Sequence, residues 1–239
     1  MLVKGRGIVI KNITYGETSL ISKILLQNEG LKTFLVNGVR SKKSKFKPAY
    51  FQLFTLLELD YYQKESTNFL RIKEIKPDPL LHGLQANVKK ILLIQRMVEF
   101  INNILLDNLS EPKSFDWLKK YILYVNDHEV HPPALYLHFL IKSGEILGIS
   151  LENLPEDQNS FDLEFLETSN NKNGQFLLSQ EDKQFVRVVF QLKLAEHQKI
   201  QRYKGIKRLT NTLEKFYTHK NRFTVHSKIA SSINKLNAP

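Results

Sequence analysis

The 239-residue chain is predicted to be an α+β protein, with an N-terminal five-stranded OB-type β-barrel over residues 1–78 and a mostly α-helical domain over residues 79–239. The prediction depends on a change of hydrophobic period, from about two residues in the first third to about 3.6 afterwards. Pro77-Asp78-Pro79 lies at the change, and prolines commonly separate structural elements. The chain is long enough for two small domains of this kind.

The N-terminal third is predicted to form short strands joined by turns at Tyr15–Thr18 and Asn28–Gly30. In the fourth strand apolar side chains from Leu53 onwards alternate with Glu58 and Asp60, which is typical of a half-buried strand. The long loop after the third strand favours a small closed barrel of the kind that binds single strands, although an open sheet would give nearly the same pattern. The expected strands are Val3–Thr14, Ser19–Leu26, Leu31–Val39, Phe51–Tyr62 and Phe69–Ile75.

The remaining chain is predicted to be helical. Ser110 and Ser179, the latter followed by Asp182, have the sequence pattern of helix N-caps, and Gly148 has that of a C-terminal glycine. An irregular or hairpin insert is predicted at about residues 158–178, with the turn of the hairpin around residues 170–174. The expected buried positions are Leu84, Val88, Ile91, Val98, Ile101 and Leu105; Leu118, Tyr121, Ile122 and Val125; Phe185, Val188, Val189 and Leu192; and Leu209, Leu213, Phe216 and Tyr217, before a last helix over Ser227–Leu236.

Positive charge is concentrated at the two ends of the chain, which carries 35 Lys+Arg against 24 Asp+Glu. Residues 1–76 hold fourteen cations and six anions, and residues 204–239 hold eight and one. The segment between them is mildly acidic, with thirteen cations and seventeen anions. This distribution indicates a polyanionic partner, and neither terminus shows the amphipathic helix of a membrane-surface protein.

The most basic stretch runs from Asn37 to Phe51 and has five cations within eight residues. Cations packed this closely cannot all be buried, so they face water or a polyanion. Neighbouring aromatic rings could stack on unpaired bases, although Phe51 leads an apolar strand face and is expected to pack in the core. The candidate DNA-binding residues are Arg40, Lys42, Lys43, Lys45, Phe46, Lys47 and Tyr50, with Arg71 and Lys73 from the fifth strand.

A second basic set lies near the C-terminus. Its cations could extend a nucleic-acid path or accept an acidic partner tail, and the sequence does not choose between these roles. We further expect that both basic ends converge on one shared surface. The residues of this set are Lys204, Lys207, Arg208, Lys215, Lys220 and Arg222.

No catalytic, cofactor or metal site is predicted. The chain has zero cysteines, which excludes thiolate ligands and agrees with a cytoplasmic location. His128 and His131 are too few to hold a metal, which needs three or four ligands. We find no phosphate-binding loop, no signal-peptide core in Met1–Ile10 and no apolar run of the ~18 residues that a membrane span needs.

One constellation resembles an enzyme site. Asp60 followed by Glu74-Ile75-Lys76 matches the arrangement of two carboxylates and a lysine that holds Mg²⁺ in many nucleases. Charge pairing between neighbouring strands accounts for the same residues without any chemistry. A Mg²⁺-dependent nuclease therefore stays an alternative, alongside an RNA-binding OB module and a protein-interaction scaffold.

Several motifs of the first third together resemble the RecO family of bacterial recombination mediators. The similarity covers roughly residues 5–80, and Tyr217–Leu236 resembles the family's final helical segment, with Ser227 at its start. The matching stretches are Gly7–Ile10, Tyr15–Thr18, Glu29-Gly30, Asn37–Arg40 with Lys42–Phe46, and Phe54–Leu59.

The resemblance implies an OB-fold, a helical C-terminal domain and no enzymatic turnover. It implies a protein that binds single- and double-stranded DNA, anneals complementary strands, and acts with RecR, RecF and the acidic tail of single-strand-binding protein to load recombinase at gaps in the bacterial nucleoid. Many members carry a four-cysteine zinc site where residues 158–178 lie here. Because this chain has no cysteine, that site cannot be carried over.

Overall fold

The protein was studied as a computed structural model that describes residues 1–63, 69–105, 112–149, 151–169 and 174–220. The chain divides into two compact units, Met1–Val130 and a second that begins at His131. Within the described ranges, no helix combines the length and the apolar character needed to cross a bilayer. A boundary near residue 78 stays a prediction.

The first unit is built on a five-stranded sheet in the order β3-β2-β1-β4-β5, and all its neighbouring strands are antiparallel. The long strand β1 pairs with β4 through its first half and with β2 through its second. A register shift between Val9 and Lys11 bends it from one partner to the other. The strands are β1 Leu2–Tyr15, β2 Ser19–Leu26, β3 Gly30–Val36, β4 Leu56–Tyr62 and β5 Arg71–Pro77.

The α+β class is confirmed, because helices follow this sheet. The two outer strands are linked only locally in the described chain: Phe34 and Leu70 form a parallel bridge, in which Leu35 N donates to Leu70 O at 3.0 Å. No continuous ladder of described residues joins β3 to β5, so the predicted closed barrel is not confirmed.

The predicted fourth strand was too long. Residues Pro48–Phe51 form a 3₁₀ turn instead, and β4 begins only at Leu56. Phe54 adopts a left-handed φ of 62°, and its N–H donates to Val9 O at 2.8 Å. This local turn breaks the alternation on which the sequence prediction relied, so Leu53 is 40% exposed rather than inward-facing.

The first unit continues with helices α1 His82–Gln85, α2 Val88–Phe100 and α3 Pro112–Asp127, with a π-helical turn over Ile101–Leu105. The apolar stripe expected from Leu84 to Leu105 does not lie on one continuous helix, because the Asn87 side chain accepts hydrogen bonds from Lys89 N and Lys90 N and so caps α2. Val88 and Ile91 are 70% and 38% exposed, contrary to the predicted stripe. Leu84, Val98 and Ile101 of that stripe are buried as predicted, and the side chain of Leu105 lies outside those that the structure describes. Leu93, Ile94, Met97 and Phe100 are buried as well, and so are the expected α3 residues Leu118, Tyr121, Ile122 and Val125.

The second unit combines helices with a small sheet. The predicted end of α4 is confirmed by Gly148, whose φ is 70°, and the predicted capping box of α5 is confirmed by Ser179 and Asp182. Ser110 and the helix expected over Ser227–Leu236 lie outside the described residues. The elements are α4 Pro132–Ile146, β6 Ser160–Asp162, β7 Glu167–Ser169, β8 Leu177–Leu178, α5 Gln180–Gln191, a 3₁₀ helix Leu194–Arg202, and α6 over residues 206–220.

The insert forms a three-stranded sheet with β6 in the centre. In the described part of the insert, β7 and β8 each pair with β6, whereas residues 170–173 lie outside the described residues. In α5, Val188 is exposed instead of buried, and the buried stripe runs through Val186, Val189 and Phe190. The stripe predicted for α6 is confirmed, since Leu209, Leu213, Phe216 and Tyr217 are buried.

Candidate nucleic-acid interface

The basic loop, residues 37–47, connects β3 to the 3₁₀ turn and has a well-defined backbone. Arg40 N donates to Thr18 O at 2.9 Å, and Ser41 Oγ donates to Gly38 O at 2.8 Å. The Val39 side chain is buried in the sheet core. Ser44 Oγ donates to Phe46 O at 2.7 Å. These contacts hold the loop in place while its charged side chains extend from it.

All five cations of the basic loop are exposed to solvent. Among the residues that the structure describes, none of them forms an ion pair with a carboxylate. Their mutual repulsion is therefore not offset by neighbouring acids, and a polyanion would relieve it. The five are Arg40, Lys42, Lys43, Lys45 and Lys47.

Lys45 connects the basic loop to strand β5. Its Nζ donates to Lys73 O at 2.5 Å and lies 5.4 Å from the centroid of the Phe46 ring. This contact brings the loop beside the strand that carries the other two predicted cations, the exposed Arg71 and the half-buried Lys73. The two predicted groups of DNA-binding residues in this unit therefore lie on neighbouring segments.

The aromatic residues of this region divide into two roles. Phe51 is 3% exposed and belongs to the sheet core, as expected from its place at the start of an apolar segment. Phe46 and Tyr50 are half-buried, pack against that core and also line an open groove of about 790 Å³. Half-buried rings at a groove wall offer a flat apolar surface on which a base could stack.

The groove floor consists of charged side chains from β1, β4 and β5. Glu58 is central, because Lys76 Nζ lies 2.9 Å and Arg6 Nη2 3.7 Å from its carboxylate oxygens. The hydrogen bond from Lys76 holds the pKa of Glu58 below its ordinary value, and the same bond raises the pKa of Lys76. Lys4 and Arg6 also line the groove but were not among the residues predicted from the sequence to bind DNA. They occupy alternate, exposed positions of β1, and this alternation is the sequence signal that could have identified them.

The predicted nuclease constellation is only partly assembled. Asp60 and Glu74 are direct partners across β4 and β5, so their carboxylates belong to the same groove. Lys76, however, is paired with Glu58 rather than with either of them. No group of three or more potential metal ligands occurs among the described residues.

The second predicted set of cations does not behave as one group. Lys204, Lys207 and Lys215 are exposed, as is Lys220, whereas Arg222 lies outside the described residues. Arg208 departs from the expectation of a free cation: both of its terminal nitrogens donate to the buried carboxylate of Asp182, at 2.5 and 2.7 Å. We therefore leave Arg208 out of the candidate interface. Whether the two basic ends share one surface stays a prediction.

Comparison with known proteins links the sheet to a family. Residues 1–77 match the family model described as "Recombination protein O N terminal". The chain is similar to proteins named "DNA repair protein RecO": 30% identical over 149 residues in Flavobacterium psychrophilum, with 62% of each chain covered, and 28% identical over 164 residues in Christiangramia forsetii, with 68% of each covered. In Phocaeicola vulgatus the identity is 28% over 149 residues, with 62% of each chain covered. The match thus spans 62% of the length of the first of these curated relatives.

Proposed function

We propose that this chain, whose residues 1–77 match the RecO N-terminal family model and which is similar to proteins named DNA repair protein RecO, is a DNA-binding and strand-annealing recombination mediator that works without enzymatic turnover. The observation that carries the proposal is the basic loop: five exposed cations without carboxylate partners in the described chain, next to two half-buried aromatic rings at a groove. Cations bind phosphates whatever the sequence, and rings stack on bases that are not yet paired.

Annealing is a problem of charge repulsion. Two strands approach slowly because their phosphates repel, and a surface that replaces their counterions lowers that barrier. Arg40, Lys42, Lys43 and Lys47 contact the backbone in this mechanism, with Arg71 and Lys73 beside them, and so the hydrogen-bonding edges of the bases stay free to pair. Phe46 and Tyr50 hold single strands by stacking, which ends once the duplex forms.

The proposed partners follow from the family. The protein would act with RecR and RecF and with the acidic tail of single-strand-binding protein, in loading recombinase at gaps. Its relatives are named as DNA repair proteins, which supports the repair context. A basic chain with a net charge of +11 suits both the DNA and an acidic tail.

A salt titration tests the role of the basic loop. In the variant Arg40→Ala/Lys42→Ala/Lys43→Ala, the affinity for a labelled single strand should fall, and the slope of log K against log [salt] should become shallower by about 0.7 for each phosphate that the protein no longer neutralises. The matched control removes three lysines that are already paired with Glu29, Glu145 and Glu196, namely Lys32, Lys142 and Lys199. Equal binding by the loop variant and the wild type would remove the loop from the mechanism.

An annealing assay tests the whole proposal. Two complementary oligonucleotides, bare or coated with single-strand-binding protein, should anneal faster with the protein present and without ATP. Acceleration on bare strands alone would contradict the proposed tail contact. Cutting of DNA with Mg²⁺ that Asp60→Asn abolishes would favour the nuclease, and strong preference for structured RNA would favour the RNA-binding alternative.

A further inference from the structure

We propose that the second unit carries a separate binding site for the phosphate backbone of duplex DNA, formed by a basic strip of Arg202, Lys204, Lys207 and Lys215. The inference rests on the proposed function and assigns a role that the sequence left open. All four side chains are exposed. Arg202, in the last turn of the 3₁₀ helix, belongs to the strip although it was not in the sequence-based set.

The strip follows a defined backbone path. It begins in the last turn of the 3₁₀ helix Leu194–Arg202 and continues along the exposed face of α6. Lys207, Asn211 and Lys215 lie on successive turns of that face, so Lys207 and Lys215 are separated by about 12 Å along the helix axis. That distance corresponds to roughly three to four steps of a DNA strand, and so the two lysines can reach different phosphates.

The charges of the strip are available for binding. Among the described residues, none of its four cations forms an ion pair with a carboxylate. Neighbouring cations differ, because Lys199 is bound to Glu196 at 2.5 Å and Arg208 is bound to Asp182. Asp182, and more weakly Glu181, are the acidic residues whose fields reach Arg208 and Tyr203. The strip is thus distinct from the paired charges around it.

The aromatic rings next to the strip are not available for stacking on bases. The Tyr203 ring stacks on Phe185, with 3.7 Å between the centroids, and its hydroxyl donates to Asp182 at 2.6 Å. In α6, Phe216 and Tyr217 are buried in the core. The strip therefore offers charge without a base platform, whereas the basic loop of the first unit offers both.

This difference determines which nucleic acid each surface selects. A surface that contacts phosphates alone accepts a duplex, because pairing leaves the phosphates outside. A surface that also stacks bases favours unpaired strands. Gln201, Asn211 and Thr218, which are exposed close to the cations in the chain, are polar and suit a phosphate backbone better than the apolar side chains of a peptide tail. We infer that the strip retains the duplex product of annealing.

The test compares duplex and single-strand binding by one set of variants. In Lys204→Ala/Lys207→Ala/Lys215→Ala, we expect the Kd for a 20-base-pair duplex to rise at least about fivefold and its salt slope to become shallower by about 0.9 for each phosphate that is no longer neutralised. Binding of a 20-nucleotide single strand should change less than about twofold. Phe46→Ala should instead weaken binding of the single strand and leave the Kd for the duplex nearly unchanged. Lys32→Ala/Lys142→Ala/Lys199→Ala is the control with equal net charge, and circular dichroism checks that every variant is folded.

Unchanged duplex affinity and salt slope in the strip variant would overturn the inference. So would loss of binding to an acidic apolar peptide while duplex binding is retained, because that result would make the strip a peptide site. If the basic-loop variant loses single-strand binding and annealing but the strip variant keeps the duplex, the inference fails and the proposed function stands. If the wild-type protein does not accelerate annealing, the proposed function fails, and the duplex measurement alone decides the role of the strip.

Discussion

Arg208 holds Asp182 in a two-pronged ion pair, with Nη1 donating to Oδ2 at 2.5 Å and Nη2 to Oδ1 at 2.7 Å. The same carboxylate accepts hydrogen bonds from Tyr203 Oη at 2.6 Å and from Ser179 N at 3.0 Å. Asp182 is fully buried, so it needs these donors to remain ionised in the protein interior. The pair links the N-terminus of α5 to the start of α6.

Removing Arg208 should therefore destabilise the protein. Arg208→Ala leaves the buried carboxylate with fewer donors, and we expect the free energy of unfolding to fall by about 2–3 kcal/mol. Urea denaturation measures it. The neighbouring Lys207→Ala is the matched control, because that side chain is exposed and has no carboxylate partner among the described residues. Equal stability of the two variants would contradict a structural role for Arg208.

The same carboxylate predicts a pH dependence of stability. Burial raises the pKa of Asp182, but the hydrogen bonds from Arg208, Tyr203 and Ser179 lower it by more than burial raises it. The pKa of Asp182 in the folded state therefore lies below the ordinary 3.8. A carboxyl with a depressed pKa stabilises the fold above its unfolded pKa, and this stabilisation is lost as the pH falls through the folded value. Wild type should exceed Asp182→Asn in stability by a constant amount above about pH 5, and the gap should shrink below about pH 4. A gap that persists unchanged to about pH 2 would disprove the coupling.

Phe51 and Phe46 should separate stability from binding. Phe51 is in the sheet core, so Phe51→Ala should lower the free energy of unfolding by about 3–5 kcal/mol. Phe46 is half-buried at the groove, so Phe46→Ala should cost less stability and instead weaken binding to a single strand. Thermal unfolding and fluorescence anisotropy measure the two effects. Similar losses of stability with unchanged binding would show that both rings are structural.

The close approach of α1 and α3 predicts a strict requirement for glycine. A Cβ added at Gly83 would lie 2.1 Å from the carbonyl oxygen of Asn126, a backbone atom that cannot move aside cheaply. Gly83→Ala should therefore force the helices apart and lower the free energy of unfolding by roughly 1–3 kcal/mol or more. At Gly5 the nearest atom to an added Cβ is Tyr61 Cε1, at 3.4 Å, so Gly5→Ala is the milder control. The result would be contradicted if both variants unfolded at the same urea concentration.

Local rules of sequence predicted several elements correctly. The capping box of Ser179 and Asp182 and the C-terminal glycine at Gly148 were confirmed, since each depends on residues within one helical turn. The strand Ser19–Leu26 agrees residue for residue. The predicted fourth strand and part of the predicted buried face of α2 were wrong, because both depend on packing beyond neighbouring residues. Val88 and Ile91 are apolar but exposed, whereas α2 buries Leu93 and Met97.

The cations of the candidate interface could be predicted from the sequence, but the backbone turn that places its aromatic rings could not. Five cations in a row of eight residues must remain accessible, because charge without a partner resists burial, and so the basic loop could be identified from the chain alone. The burial of Phe51 was expected, because it leads an apolar segment, and Phe46 was expected at the surface among the cations. The 3₁₀ turn at Pro48–Phe51 that separates the two rings was not predicted, since Phe51 was assigned to the start of a strand.

The α+β class and the concentration of positive charge at the two ends can be predicted from the chain alone, since hydrophobic period and charge density are properties of neighbouring residues. Which of these cations pair with carboxylates depends on the fold. Arg208 and Asp182 are 26 residues apart, and the fold alone brings them within hydrogen-bond distance and leaves Lys204 and Lys207 exposed. Ion pairing between distant residues depends on how the helices pack, and the order of residues along the chain does not encode it locally.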